Sequence, residues 1–385
     1  MHKRNISTIH DCYGCGVCAT ICPKKIISIH FNKDGFYEPF IERNDLCIDC
    51  GLCLSVCSFM DNNIQIRQPN DIQGYAAWSK DEKTRKICSS GGAGFEIGRH
   101  LIENGYKAIG VRYNPKKNCA EHYLSNSVEN FIQSIGSKYI QSYTVEGFSH
   151  FNKKDKFLVT GTPCQIDSIR RYIKKIRIEE HFVLMDFFCH GVPSMLMWKK
   201  YTDFVEEETG SITSAIWRDK QHGWQNSYVI KIEGEKGYSH FSELTKGKAF
   251  YNFFLGHYCL GKQCHKNCKY KNDASAADIR IGDLWGNTYR NNQEGVSSVL
   301  ALTQKGKDVL LSTNKLKLVP QSIEVITEGQ MKKCATPAFC RPLAMTLLKG
   351  NMKIMSIAKI CNSIEFISHL PIRVFNKIKN KSFKW

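Results

Sequence analysis

Cys12-Tyr13-Gly14-Cys15-Gly16-Val17-Cys18-Ala19-Thr20-Ile21-Cys22-Pro23 spaces four cysteines as Cys-x2-Cys-x2-Cys-x3-Cys, and the same spacing returns at Cys47, Cys50, Cys53 and Cys57. Thiolates at these intervals, on loops kept slim by Gly16 and Gly51, wrap three ligands round one face of a four-iron cube. The fourth cysteine of each run reaches across to the other cube. That rule assigns Cys12, Cys15, Cys18 and Cys57 to cluster 1, and Cys47, Cys50, Cys53 and Cys22 to cluster 2. Zinc motifs pair two Cys-x2-Cys knuckles rather than running four cysteines in a row, so two 4Fe-4S clusters are expected. Pro23 after the first run is what the pattern calls for, whereas Ser58 stands where the second run would carry its proline.

Each cysteine of the second run lies 35 positions after its counterpart, 12 to 47 through 22 to 57, so the module is an internal duplication. Between the runs, Lys25 to Ile41 alternates apolar residues around Lys33-Asp34-Gly35 and reads as a hairpin. An α+β, ferredoxin-like dicluster module over residues 1–65 follows.

The chain has 385 residues, enough for two or three domains, and its 42% hydrophobic content is ordinary for a folded protein. Met1 to Asp11 has no apolar signal region and no run of 18 apolar residues occurs, so a cytoplasmic location is expected. Eighteen cysteines in a reducing compartment point to metal rather than to disulfides. The formal charge of +18 falls to roughly +14 once two cubes with their thiolates are counted, which remains strongly basic. No helix-turn-helix, RNA-binding or zinc-finger pattern is present, so nucleic acid is not an expected partner, and an acidic electron carrier such as a ferredoxin suits the field better.

Periodicity is lost over residues 61–73, and a second domain is expected from Gly74. Ser89-Ser90-Gly91-Gly92 precedes a helical pattern that stops at Gly105, and Lys107 to Tyr113 reads as a strand. The beat repeats with the strand Phe157-Leu158-Val159, an N-cap at Thr162, Pro163 in the first turn and the stripe Ile166, Ile169, Ile173. Phe182 to Phe188 is a third strand, before a helix from Ser194 to Gly210. A hairpin at Val229 to Gly237, a strand at Ala277 to Ile281, and strand, helix and strand over Ser298 to Val319 complete the pattern. Strands alternating with helices predict an α/β domain with a mixed, largely parallel sheet, in two parts, 74–150 and 151–342. Residues 343–385 form a basic amphipathic tail, suited either to an anionic membrane surface at the inner face or to packing on the domain with its lysines outward.

Neither a dinucleotide fingerprint nor a P-loop is present. Ser89, Ser90, Gly91 and Gly92, and likewise Gly161, Thr162 and Pro163, sit just ahead of helices, where free N–H groups and the helix dipole favour an anion. Cys164 and Cys189 fall at the carboxyl ends of predicted strands, the edge of an α/β sheet where sites assemble. Cys259, Cys264 and Cys268 follow, the last two in a Lys-rich loop that a core thiol would avoid. These five are candidate ligands of a third cluster, with Cys164, Cys264 and Cys268 as its base and Cys189 or Cys259 as the fourth. Asp186, Cys189 and His190 are candidate catalytic residues.

The series Ser89-Ser90-Gly91-Gly92, Ser137-Lys138-Tyr139-Ile140-Gln141-Ser142, Thr160-Gly161-Thr162-Pro163-Cys164-Gln165, Asp186-x2-Cys189-His190-Gly191-Val192-Pro193-Ser194 and Ala277-Asp278-Ile279-x-Ile281-Gly282-Asp283-x-Trp285-Gly286 resembles the family of coenzyme F420 hydrogenase/dehydrogenase beta subunits, in the branch with a fused ferredoxin module. That resemblance implies an iron–sulfur flavoprotein that passes electrons between clusters, FAD and a second acceptor. The family's last cysteine pair is usually Cys-x2-Cys, whereas three residues separate Cys264 from Cys268 here. The expected function is a reductase that takes electrons from a ferredoxin-type donor, through 4Fe-4S clusters and FAD, to a small molecule or a precursor of surface polysaccharide. The alternative is a non-catalytic electron-transfer protein that docks on a separate catalytic partner.

Overall fold

The computed structural model describes residues 4–64, 72–244, 249–266 and 268–368. At its head, β1 (Ile27–Phe31) and β2 (Tyr37–Ile41) form the antiparallel hairpin expected there. The Asn32 side chain accepts from the Asp34 and Phe36 amides at 2.9 and 3.1 Å, and Gly35 takes the left-handed conformation that closes the turn (φ 75°).

The strands that follow are β3 (Gln73–Ser79), β4 (Tyr106–Asn114), β5 (Cys119–Ser125), β6 (Ser142–Tyr143), β7 (Lys156–Thr160), β8 (Phe182–Phe187), β9 (Ile212–Ile216), β10 (Val229–Gly234), β11 (Ser239–Glu243), β12 (Ile279–Asp283), β13 (Ser297–Ala301) and β14 (Leu316–Gln321). Nine of them make one sheet in the order β14-β3-β13-β12-β8-β7-β4-β5-β6. Its centre, β12-β8-β7-β4, is parallel, while β3, β13 and β14 pair antiparallel on one flank and β5 pairs antiparallel with β4 on the other. Strands from 74–150 and from 151–342 therefore interleave in one sheet.

The central strands are apolar at successive positions because both faces are covered. On β7, Phe157 and Val159 face the helix Pro163–Lys175 through Ile166, Ile169 and Ile173, and Leu158 faces the helix Ala93–Glu103 through Ile97 and Leu101. The cysteine-rich module packs on the first of these faces, adding Val17, Ile21 and Val56 to that core. A second core lies under the three-stranded sheet β11-β10-β9, built on Trp198, Trp217, Phe250 and Phe253.

The expected tail divides. Helices Arg341–Lys349 and Ile354–Ser368 bury Ala344, Met345, Leu348, Ile354, Ile357, Ala358 and Cys361 in the second core, and Lys353 on the outer side pairs with Glu207 at 2.8 Å. This stretch has an apolar stripe wide enough to be claimed by the domain itself. Residues 369–385, the rest of the expected basic tail and of the membrane-facing surface that is one alternative for it, lie outside the described residues. Among the described residues no helix is long and apolar enough to cross a membrane.

Candidate functional site

Two short helices, Val17–Ile21 and Leu52–Ser55, each begin on a left-handed glycine, Gly16 (φ 74°) and Gly51 (φ 65°). The reversal turns the cysteines on either side of each glycine inward. One small cavity is lined by Cys12, Cys15, Cys18 and Cys57 with Ile6, Ile9, Ile29 and Phe59, and a second by Cys22, Cys47, Cys50 and Cys53 with Ile26, Ile27 and Ile48. The fourth cysteine of each run lies with the first three of the other. Burial pushes the Cys12 and Cys18 thiols far up and that of Cys15 to about 11, and neighbouring sulfurs in the set push the same way. Four thiolates facing one another, two of them buried and two half-buried, are stable only around a cationic centre, so the donor set fits an iron–sulfur cube. Among the described residues no three His, Cys, Asp or Glu side chains are placed to share one metal ion. A cube interposes its own irons and sulfides, so its thiolates stand further apart than ligands of a single ion. Each set has two buried cysteines, Cys12 and Cys18 in the first and Cys22 and Cys53 in the second, but only the second has an exposed one, Cys50, so the second set is the one nearer solvent.

The first set is fastened to the α/β domain. Thr144 Oγ1 donates to the Cys15 carbonyl at 3.0 Å, in the space a Cβ on Gly16 would need. Gln263 Nε2 donates to the Cys12 carbonyl at 2.7 Å, and Lys269 Nζ to the Ser58 carbonyl at 2.8 Å. Buried Gln141 accepts from the Tyr37 amide at 3.1 Å and donates to the carbonyls of Gly35 and Pro193 at 2.8 and 3.0 Å.

Tyr13 lines both this first cavity and a much larger one in the α/β domain, of about 450 Å³. Its ring meets Phe59 and Tyr270 edge-on, with centroids 5.2 and 5.9 Å apart.

The large cavity opens at the carboxyl ends of β7 and β8. Cys164 arrives in the first turn of helix Pro163–Lys175, which Thr162 and Gln165 hold in a capping box, with the Thr162 amide donating to Gln165 Oε1 at 2.8 Å. Cys189 follows β8, and Cys264 and Cys268 come from the short helix Lys262–Lys266 and the segment beyond it. All four line the cavity. Burial pushes the Cys189 thiol up to about 11 and Cys264 to about 12, and raises Cys164 well above the ordinary thiol range, with other members of the set adding to each. Lys271 Nζ braces this corner through the Cys189 carbonyl at 2.7 Å. Cys259 does not join them. It is fully buried in the second apolar core, beside Arg341 and Cys361, because it lies ahead of the turn that carries Cys264 to the cavity.

Both loops expected to receive an anion reach this same cavity. Ser89, Ser90 and Gly92 line it from one side, and Gly161, Thr162 and Pro163 from another. Gly92 caps helix Ala93–Glu103 with φ 89°. Gly91 is held out of the lining against Ala77 and Ser297, where a Cβ would collide with backbone. Ser89 Oγ accepts from the Ser137 amide at 2.8 Å, Ser90 Oγ donates to the Val296 carbonyl at 2.8 Å, and Lys220 Nζ donates to the Ser90 carbonyl at 2.7 Å.

Two candidate catalytic residues behave differently from each other. Asp186 is wholly buried and committed: Arg280 grips it through Nε at 2.8 Å and Nη2 at 2.7 Å, and Ser275 Oγ donates to it at 2.6 Å. That pairing satisfies both carboxylate oxygens and makes Asp186 a structural residue rather than a proton-transfer group. His190 keeps a buried Nε2 without a hydrogen-bond partner, and burial, then neighbouring His257 and Lys271, bring its pKa down to about 4, so it is neutral at physiological pH.

Several residues at this cavity are not among the candidate site residues: Lys138, Tyr139, Asp283 and Trp285 lie in the motifs that carry the resemblance, whereas Arg218, Tyr228 and Phe254 lie outside them and are gathered only by the tertiary fold. Tyr139 and Phe254 stack at 4.9 Å, and Tyr228 and Trp285 at 5.7 Å. Behind the latter pair, buried Arg218 lies 4.5 Å from the Tyr228 ring centre and donates to Asp283 at 2.9 Å. Burial brings the Lys138 amine down to about 7 while it donates to the carbonyls of Gln133, Ser134 and Ile135.

Comparison with known proteins adds two family matches. Residues 154–321 match the family model for the C terminus of the coenzyme F420 hydrogenase/dehydrogenase beta subunit, and residues 11–62 match a 4Fe-4S dicluster domain. The chain is similar to the F subunit of the F(420)H(2) dehydrogenase of Methanosarcina mazei, at 24% identity over 74% of this chain and 81% of that protein. It is also similar to the coenzyme F420-dependent sulfite reductase of Methanocaldococcus jannaschii, at 21% identity over 80% of this chain but only 47% of that longer protein. Among solved structures, one polypeptide of the F420-reducing [NiFe] hydrogenase complex from Methanosarcina barkeri aligns over 81% of this chain and 94% of its own length, with 16% identity and a TM-score of 0.46.

Proposed function

Residues 154–321 match the C terminus of the coenzyme F420 hydrogenase/dehydrogenase beta subunit and residues 11–62 a 4Fe-4S dicluster domain, and from that premise we propose an iron–sulfur flavoprotein that reduces a small molecule with electrons from an external carrier. Cys22, Cys47, Cys50 and Cys53 hold the cluster nearer solvent, where a donor docks. Cys12, Cys15, Cys18 and Cys57 hold the inner one, behind Tyr13. Cys164, Cys189, Cys264 and Cys268 hold a third cluster in the wall of the large cavity. FAD would be held in part of that cavity, its phosphates by Ser89, Ser90 and Gly92 and by Gly161 to Pro163. The clusters supply single electrons and the flavin exchanges them for the pair that an organic substrate takes.

The observation that carries this reading is the convergence on one cavity of Cys164, Cys189, Cys264 and Cys268 and of both small-residue loops, with Tyr13 as the wall shared with the inner cysteine set. Its volume of about 450 Å³ lies within the range of cofactor and ligand pockets. The chain's own part is positional. Gly92 and Thr162 present helix N-termini to an anion, the aromatic side chains of Tyr139, Phe254, Tyr228 and Trp285 exclude water, and His190 Nε2 offers the substrate side a neutral hydrogen-bonding group. The strongly basic chain favours an acidic donor such as a ferredoxin. The names of the relatives make coenzyme F420 the first compound to test as the second electron partner.

A pure electron-transfer role is supported by the first relative, which is named as one subunit of a larger dehydrogenase. Iron analysis of the anaerobically reconstituted chain tests the cavity cluster. Cys164→Ser is expected to lower the iron content from about twelve to about eight per chain, while Cys259→Ser leaves it unchanged. Equal iron in wild type and Cys164→Ser would remove the third cluster and favour the electron-transfer role.

A further inference from the structure

Ser58, in the place where the repeated motif would carry proline, is buried to 1% exposure and makes three hydrogen bonds that a proline could not make or would lack the hydroxyl for. Its amide donates to Ser168 Oγ at 3.3 Å, its hydroxyl donates to the Cys164 carbonyl at 3.1 Å, and it accepts from the Ser168 hydroxyl at 2.8 Å, the arrangement that goes with a protonated Cys15. Ser168 is wholly buried on helix Pro163–Lys175, one turn after Cys164, and its Oγ lies 3.3 Å from Cys15 Sγ. A continuous polar thread thus runs Cys15–Ser168–Ser58–Cys164, from the inner cysteine set to the wall of the large cavity.

We propose that Ser168 is a hydrogen-bond donor to the Cys15 thiolate that raises the potential of cluster 1, and that Ser58 is the positioning residue that fixes Ser168 in that role. It rests on the assignment of Cys12, Cys15, Cys18 and Cys57 to one cluster. The direction follows from charge. When Cys15 is a thiolate it can only accept, so the single Ser168 hydroxyl proton turns toward sulfur, while Ser58 supplies Ser168 with its N–H and turns its own hydroxyl from the Cys164 carbonyl to Ser168 Oγ, so the 2.8 Å contact keeps a proton. Reduction adds negative charge to the cluster, so a donor to its sulfur stabilises the reduced form more than the oxidised one. No charged side chain takes part in the thread, so the serine hydroxyl is the group that distinguishes Cys15 from its fellow ligands. The Thr144 hydroxyl nearby is used instead on the Cys15 carbonyl. A cluster made easier to reduce at the inner position would pull electrons from the solvent-side cluster toward the cavity.

Redox titration of the reconstituted full chain, followed by electron paramagnetic resonance with iron counted in parallel, tests this. Ser168→Ala is expected to move one cluster to more negative potential by roughly tenfold in its equilibrium constant, ~59 mV for one electron, with iron per chain and the other potentials unchanged. Ser168→Thr, which keeps a hydroxyl, should stay near wild type. Ser58→Pro, which restores the motif and removes both the amide donor and the hydroxyl, should move the same cluster in the same direction by less. Unchanged potentials in Ser168→Ala with iron retained would overturn the proposal, as would iron loss in Ser168→Ala and Ser168→Thr alike, which would make Ser168 a packing residue. If Ser168→Ala alone sheds iron, Ser58→Pro decides, and an unmoved potential there overturns it. A wild type that takes up no iron would sink the cluster assignment itself.

Discussion

Each cysteine's place in the proposed cluster partition is tested by its own substitution. Cys22 lies in the first run of sequence but lines the cavity of Cys47, Cys50 and Cys53, so Cys22→Ser should remove the solvent-side cluster and leave the inner one, visible as a loss of about four irons with one reduced-cluster signal gone. Loss of the inner cluster's signal instead would reverse the assignment. This partition was legible in spacing alone, because a rule of cluster geometry connects positions in sequence to positions in space. Cys259 shows the limit of that legibility. It stands just ahead of the Lys-rich loop that carries Cys264 and Cys268, and the four residues between Cys259 and Cys264 span the distance from the apolar core to the cavity wall. Asp186 is a second case: its place at a strand end suggested chemistry, and only the fold reveals that Arg280, far along the chain on β12, neutralises it.

At the level of elements, the helix starts carry the flavin proposal. Gly92 has φ 89°, which a β-branched residue adopts only with strain, and its amide opens helix Ala93–Glu103 at the cavity. Gly92→Val is therefore expected to abolish flavin uptake while both clusters of the dicluster module retain their absorbance. Joint loss of flavin and clusters would mean the substitution unfolds the chain rather than spoiling a binding loop. Strand β5 carries a pH dependence. His122 is fully buried there, its Nε2 3.0 Å from the Thr160 carbonyl, and burial lowers its pKa from 6.5 to about 4. Between those values the unfolded chain binds the proton and the folded chain does not, so stability is full above pH 6.5 and falls as pH drops toward 4, by up to about 1.4 kcal/mol per pH unit. Urea unfolding by circular dichroism at pH 7 and pH 5 should show this loss in the wild type and a smaller one in His122→Gln. The same strand explains an omission from the sequence pattern. In Cys119–Ser125 the buried positions include Glu121, paired with Arg112 and Lys117, and His122, so the alternation that marks a strand is broken by polar residues whose partners come from elsewhere. By contrast β7, β8 and helix Pro163–Lys175 stood out, because each has an uninterrupted apolar run or stripe and a start signal in Thr162-Pro163.

Across the whole molecule, the dicluster module and the α/β domain share a core, and the contacts that join them converge on the inner cysteines through Thr144, Gln263, Lys269 and Ser58. A mixed sheet behind a cysteine-rich module was legible from the order of patterns; the packing of one on the other was not, since it depends on single polar side chains such as Gln141 that no periodicity marks. That packing sets the inner cysteine set against the large cavity, with Tyr13 between them, and the proposed electron path depends on it. The most direct test is the absorption spectrum of the full chain, reconstituted without oxygen with iron, sulfide and FAD, freed of unbound cofactor, and then reduced through the dicluster module by a reduced ferredoxin. About one FAD per chain, with its absorption band bleaching together with the cluster bands, is the expected result. Full cluster content with no FAD retained, or a bound flavin that stays oxidised while the clusters are reduced, would contradict it.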